Sequence, residues 1–251
     1  MIECRNIHKS YGAIAVLKGI SISVAQGETF ALIGPNGAGK TTFFKVLTGE
    51  TPANSGSILF KGEEISRLNA SARVHRGFGR TFQVARILPG NTVLENLVIA
   101  VEARLRNQGH RSGFGLAPGR EIVEEAASMA RRTDLDDKLH QLASFLSHGD
   151  RKRLELGITL SLRPSVLMMD EPTAGMSPSD RRQTIDIILK LRAEEKLTIL
   201  LTEHDMDVVF GLSDRIMVMN QGEPVAVGTI GEIRTNAAVR EIYLGQDDHD
   251  A

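Results

Sequence analysis

"GPNGAGKT", residues 34–41, follows the apolar run "ETFALI" and leads into "TFFKVLTG", and its reading decides what the rest of the chain must be. It fits G-x-x-x-x-G-K-[ST] in full, between an expected strand and an expected helix, which is the context the motif requires. Glycines let successive backbone N–H groups turn to one side, and the N-terminus of the following helix adds positive potential there. A lysine at that helix start reaches the phosphate oxygens held by the loop, and the next hydroxyl can ligate a divalent cation. Gly34, Pro35, Asn36, Gly37, Ala38, Gly39, Lys40, Thr41 and Thr42 are therefore candidate phosphate-binding residues, with Thr41 also a candidate metal ligand. A glycine-rich turn would match by chance on the order of once in a hundred chains of this length and composition.

Outward from this loop, "IECRNIHK", "GISISVA" and "ETFALIG" read as strands, since they mix β-branched residues with alternation and end in turn residues. "GKTTFFKVLTG" reads as a helix stopped by Gly49, and "GSILFKG" as a return to strand. From about Ser66 to Leu162 helical periodicity dominates; in "TVLENLVIAVEARLR", Leu94, Leu97, Val98, Val101 and Leu105 recur at helical spacing. "GHRSGFGLAPGR", residues 109–120, interrupts this stretch as a loop. From "SVLMMDE" onward, short apolar strands alternate with helices, the pattern of a parallel sheet covered on both faces. The acidic tail "QDDHDA" is expected to fray.

The bulk properties exclude several classes. At 251 residues, 41% hydrophobic and 24% charged, the chain can bury a sizeable core. A net charge of -1 advertises neither nucleic acid nor an anionic membrane, so no nucleic-acid partner is expected. The single cysteine, Cys4, excludes an intramolecular disulfide and a Cys-rich zinc site. The start "MIECRNIHKS" lacks the apolar run of a secretory signal, and no stretch approaches the roughly 18 apolar residues of a membrane helix. Work at a membrane would require another chain to hold this one there.

A second half of the site follows from "VLMMDEP", residues 166–172, a buried-type strand ending in two carboxylates. Side chains alternate along a strand, so Asp170 and Glu171 can do different jobs. Asp170 is the candidate metal ligand, and Glu171 the candidate proton acceptor for an attacking water. An exposed acidic turn before Pro172 is the alternative, and the phosphate loop tips the balance toward a site. "LLTEHD" sets His204 at the end of another apolar strand, the rim where parallel sheets hold ligands, although a lone histidine there can equally be structural. Tyr11 offers an aromatic face for a nucleobase. "GFGRTF", residues 77–82, begins like a dinucleotide fingerprint but lacks the third glycine and is set aside.

Taken in order, Tyr11, "GPNGAGKTT", "RTFQ" with Gln83, "LSHGD", "VLMMDEP" and "TEHD" with His204 resemble an ATP-binding cassette (ABC) ATPase over essentially the whole chain. The resemblance implies an α/β P-loop core with a mostly parallel sheet, an N-terminal antiparallel β part and an inserted helical subdomain. The core would take residues 1–85 and 163–251, and the helical subdomain about 86–162. It implies ATP and Mg²⁺ as cofactors, with Thr41, Gln83 and Asp170 around the metal. Two ATPase subunits of this family face each other head to tail, so "LSHGD" would cap ATP held by a second subunit. There Ser147 would supply its hydroxyl and Gly149 its N–H, with His148 between them. Tyr11 is similar to the adenine-stacking aromatic, Gln83 to the glutamine that senses Mg²⁺ and water and touches the membrane subunit, Glu171 to the catalytic base, and His204 to the γ-phosphate histidine. His148 and Asp150 depart from the usual LSGGQ, and Ser177 stands where many relatives carry aspartate.

"GRTFQVARILPGNTVLENLVIA", "DEPTAGMSP", "TEHDMDVVFGLSDRIMVMNQGEPVAVGT" and "REIYLGQ" are similar to ATPase subunits of bacterial branched-chain amino acid importers. That branch implies a position on the cytoplasmic face of the plasma membrane. It also implies membrane permease subunits, a substrate-binding protein, and a partner ATPase that is a second copy or a paralogue. Close relatives serve urea or short amides. Soluble ABC ATPases of translation or repair usually carry two cassettes or long coiled coils, and a P-loop kinase would not need "LSHGD".

Overall fold

The computed structural model describes residues 1–82, 85–109 and 118–244. Gln83, most of the 109–120 loop and the acidic tail lie outside the described residues. The chain opens with β1 (Ile2–Tyr11), β2 (Ile14–Val24) and β3 (Thr29–Ile33), followed by α1 (Lys40–Thr48). Next come β4 (Ser55–Phe60), β5 (Glu63–Glu64), α2 (Ala70–His75) and β6 (Phe78–Arg80). Three helices follow, α3 (Val93–Asn107), α4 (Arg120–Arg132) and α5 (His148–Ser161), with 3₁₀ turns at 136–138 and 143–145 between the last two. The chain then alternates through β7 (Val166–Asp170), α6 (Pro178–Glu195), β8 (Thr198–Thr202), α7 (Met206–Leu212) and β9 (Arg215–Asn220). It ends with β10 (Glu223–Thr229), α8 (Ile230–Thr235) and α9 (Ala237–Leu244).

Two sheets result. One is antiparallel in the order β2-β1-β4-β5, and the other has the order β10-β9-β3-β8-β7-β6. Within the second sheet β9, β3, β8, β7 and β6 run parallel, and only β10 pairs antiparallel. Strand alternation divides the interior between the faces of this sheet. Phe30 and Leu32 of β3 point into a core shared with the antiparallel sheet and α1. Ala31 and Ile33 point into a second core, shared with α3, α4, α5 and α6.

Helix α3 is closed at its start by a capping box, in which Thr92 Oγ1 accepts from the Glu95 N–H at 3.2 Å and Glu95 Oε2 accepts from the Thr92 N–H at 2.7 Å. Its periodic residues Leu97, Val98 and Val101 are buried, and Leu94 and Leu105 pack at the margin of the same core. The helical expectation beginning near Ser66 needs one correction. β6 interrupts it and adds in parallel to β7, with Phe78, Gly79 and Arg80 opposite Val166, Leu167 and Met168. Three residues, one of them glycine, are too few to show strand alternation in sequence.

Arg73, at 1% exposure, is the largest fully buried side chain. Its guanidinium donates to the carbonyls of Val46, Leu47, Ile65, Ser66 and Leu68 at 2.6–3.2 Å. The first two belong to the last turn of α1, where a cation meets the negative end of the helix dipole.

Candidate functional site

Leu32 on β3, Thr202 on β8 and Asp170 on β7 stand side by side across three neighbouring parallel strands. Whatever follows these residues emerges along one edge of the sheet, the usual rim for ligands in such folds. Beyond Leu32 comes the 34–39 loop, beyond Asp170 comes Glu171, and beyond Thr202 come Glu203 and His204.

The loop is pressed from behind and open in front. Gly34 has φ 147°, and a Cβ there would lie 2.1 Å from the Met219 carbonyl oxygen of β9. A Cβ on Gly39 would lie 2.9 Å from the Val16 carbonyl oxygen of β2. The Gly222 N–H in the β9–β10 turn donates to the Ala38 carbonyl at 3.1 Å. A Cβ on Gly37 would meet nothing within 4 Å, so the opposite side faces open space. Gly34→Ala should therefore displace the loop or β9 and lower the melting temperature by several degrees, since a clash of this depth with backbone costs about 2–4 kcal/mol. An unchanged melting curve would show that the contact yields.

Lys40 opens α1 and folds its ammonium back onto the loop, donating to the Gly34 carbonyl at 2.6 Å and to the Pro35 carbonyl at 3.0 Å. Partial burial pulls its pKa below the ordinary lysine value, and the carboxylates of Glu171 and Asp170 oppose that shift. The cation thus lies in the field of both acids. Thr41, next on the helix, is exposed, and Thr42 is half-buried.

Asp170 is held at both oxygens, accepting from Thr202 Oγ1 at 2.6 Å and pairing with Arg80 Nη2 at 3.4 Å. Glu171 has a left-handed backbone, φ 48°, which is costly for a residue with a side chain and signals a conformation fixed by its surroundings. Its N–H donates to the Thr202 carbonyl at 3.0 Å, and its carbonyl accepts from the Ala174 N–H at 3.2 Å. The structure brings His204 to this acid, with Nδ1 3.8 Å from Glu171 Oε1 and the imidazole largely exposed.

Glu203 is the residue that sequence reasoning passed over. It is 1% exposed and accepts from the Thr173 N–H at 3.1 Å, the Thr173 hydroxyl at 2.6 Å and the His204 N–H at 3.1 Å. It ties the turn after Glu171 to the end of β8. The available signal was a carboxylate directly following the apolar "ILL" and its threonine, a place where a charge is kept only with partners.

Ser147, His148 and Gly149 form the start of α5, away from Lys40 in the hydrogen-bond network. Ser147 Oγ caps the helix by accepting from the Asp150 N–H at 3.1 Å. His148 Nε2 lies 3.0 Å from the Ala174 carbonyl, and Gly149 abuts Asp180, where a Cβ would come within 3.0 Å of Cγ. Asp150 turns inward to Lys138, at 2.9 Å, and to Arg153. Burial alone would raise its pKa, but bonds from Lys138, Arg153 and Ser147 hold it below the usual carboxylate value. Its charge is therefore directed into the protein and away from the exposed edge. Ser177 caps α6, accepting from the Asp180 N–H at 3.2 Å. Tyr11 ends β1 opposite Ile14, half-exposed, with Lys9 Nζ 5.1 Å from its ring centre.

A family profile described as ABC transporter matches residues 17–174. The chain belongs to the ABC transporter family. It is 39% identical over 251 residues to the high-affinity branched-chain amino acid transport ATP-binding protein LivG of Salmonella typhimurium, covering 98% of each chain. It is 37% identical, with the same coverage, to the BraF protein of Pseudomonas aeruginosa, which carries the same description. A crystal structure of the ADP conformation of an ATP-binding cassette superposes with a TM-score of 0.85 at 33% identity, covering 98% of both chains. A dimeric cassette bound to ADP and phosphate, 21% identical with a TM-score of 0.79, shares the fold over 92% of this ABC cassette and 99% of its own chain. Among the described residues of the cassette, no helix is long and apolar enough to cross a membrane.

Proposed function

We propose that this cassette is the ATP-hydrolysing, energy-coupling subunit of an importer for branched-chain amino acids. One observation carries the reading: the register that lines up the 34–39 loop, the Asp170–Glu171 pair and His204 along one sheet edge. End-to-end likeness to LivG and BraF supports the choice of solute.

The chain's own groups fit Mg²⁺ and ATP. The loop is open at Gly37, and the Lys40 ammonium donates to the neutral carbonyls of Gly34 and Pro35, where a phosphate would be the stronger acceptor. Thr41 and Asp170, with Gln83 as the sequence implies, give a small oxygen set suited to a hard cation that keeps waters and shares phosphate oxygens. Bound Mg²⁺ and ATP supply the phosphoanhydride bond and neutralise its charge. Residues 34–42 hold the phosphates, Tyr11 stacks on the adenine, and Glu171 takes the proton of the attacking water at its carboxylate. His204 stays beside that carboxylate and reaches toward the terminal phosphate. Ser147, His148 and Gly149 offer an N-terminal helix edge to nucleotide held by a second ATPase subunit.

Membrane permease subunits hold the cassette at the cytoplasmic face of the plasma membrane. A groove of about 500 Å³ lined by Ile87, Leu88, Ile99, Ala103, Ile158 and Leu162 is a suitable apolar seat for one, since Leu88 and Ile99 are exposed on it.

The test is uptake of labelled leucine by cells lacking this chain, restored with wild type or with Lys40→Ala. Restoration by wild type alone, blocked by unlabelled isoleucine, is expected. Unchanged leucine uptake, with urea or a short amide transported instead, would overturn the solute. In vitro, Lys40→Ala should weaken ATP binding roughly 10- to 150-fold, the worth of a lost charge-assisted bond to phosphate. ATPase rate should rise more steeply than linearly with protein concentration; strict proportionality would argue against a site completed by a second subunit.

A further inference from the structure

Two charged side chains of α5 are buried and take no part in the roles above. Lys152 is 5% exposed and Glu155 3%. Three residues apart, they share a face of the helix. Among the described residues they bond not to each other but to the backbone that leaves β6. Lys152 Nζ donates to the Phe82 carbonyl at 2.7 Å, and Glu155 Oε1 accepts from the N–H groups of Phe82 at 3.1 Å and Arg86 at 3.0 Å.

The same two residues also face the chain that flanks the carboxylate turn. Lys152 and Glu155 line a small internal cavity together with Thr81, Met169 and Pro172, so the wall includes residues on both sides of Asp170 and Glu171. Burial pulls Lys152 below the ordinary lysine value, against the fields of Glu155, Asp170, Glu171 and Glu203. Burial pushes Glu155 up, against the amides of Arg86 and Phe82 and the charges of Lys152 and Arg86. A carboxylate holds backbone N–H groups roughly twice as strongly as a neutral amide would, although taking two charges out of water is costly. Keeping a cation here also sets it in the field of Asp170 and Glu171.

We propose that Lys152 and Glu155 are positioning residues that fasten the backbone groups of Phe82 and Arg86 and the Asp170–Glu171 turn to α5, so that hydrolysis is fast only while these parts stand in register. The proposal rests on the reading of the chain as an ATPase. α5 begins at Ser147–Gly149, so a contact at that edge moves a helix whose second turn grips the chain's own site.

The experiment compares Lys152→Met, Lys152→Arg and Glu155→Gln with wild type in the full cassette, using ATP itself for kinetics and binding. KM and ATP affinity should stay within about threefold, while kcat per folded molecule falls about 10- to 100-fold in Lys152→Met and Glu155→Gln, the usual cost of a displaced site. Lys152→Arg keeps a cation that can reach the Phe82 carbonyl and should recover most of kcat. Amide exchange at Phe82 and Arg86 should quicken in Glu155→Gln. Wild-type kcat per folded molecule together with unchanged exchange would overturn the inference, even if melting temperatures fall. If Lys152→Met does not fold, Glu155→Gln and Lys152→Arg decide it by the same two readouts. A wild-type cassette that hydrolyses no ATP would overturn the ATPase reading beneath it; active wild type with unaffected variants would overturn this inference alone.

Discussion

Exchanging Glu171 for glutamine should leave ATP bound and lower kcat by roughly 10²–10⁴-fold, the range for losing a positioned proton acceptor. The amide is nearly isosteric with the carboxylate, and backbone bonds to Thr202 and Ala174 help to place the residue. The left-handed φ of 48° is set by those bonds and by the Glu203 brace on Thr173, all of which survive the exchange. The variant thus keeps these backbone bonds and loses the basicity of the side chain. Steady-state hydrolysis alongside equilibrium ATP binding measures both halves of the expectation, and size-exclusion chromatography with ATP should show a more persistent dimer. Hydrolysis at the wild-type rate would remove Glu171 from the proposed mechanism.

Arg73→Met should cost about 3–5 kcal/mol of folding stability, because it strips the donor from several buried carbonyls at once, each worth about 1–3 kcal/mol when left unsatisfied. Methionine fills much of the volume, so the loss reports hydrogen bonding more than a cavity. Burial draws the Arg73 pKa down to about 10, with the neighbouring Cys4 opposing, so the side chain remains a cation at neutral pH. The carbonyls it serves include those of Val46 and Leu47, in the helix that begins with Lys40. Denaturant unfolding measures the cost; a loss under about 1 kcal/mol would mean that the carbonyls find other donors.

Much of the site was legible because its parts are local. The phosphate loop, the two carboxylates after "VLMM" and the histidine after "LLTE" each declare themselves by the elements they adjoin. Glu203, β6 and Arg73 do not, since each acquires its role from partners distant in sequence: Thr173, Val166 to Met168, and the end of α1. Asp150 shows the same limit. Its place in the "LSHGD" motif would put a carboxylate near a phosphate, yet Lys138 and Arg153 draw it inward. No local pattern announces a pairing with Lys138, twelve residues back at the end of the first 3₁₀ turn. Gln83, and with it the third expected metal contact, falls outside the described residues.

The wall behind the phosphate loop is made partly of Met219 and Gly222, residues that reach the ribosome's exit long after Lys40 has left it. A growing chain therefore carries the whole nucleotide motif early in synthesis and lacks what holds it in shape until β9 and its turn arrive. A cassette truncated before β9 is therefore expected to lose the backing of its phosphate loop and to bind ATP weakly.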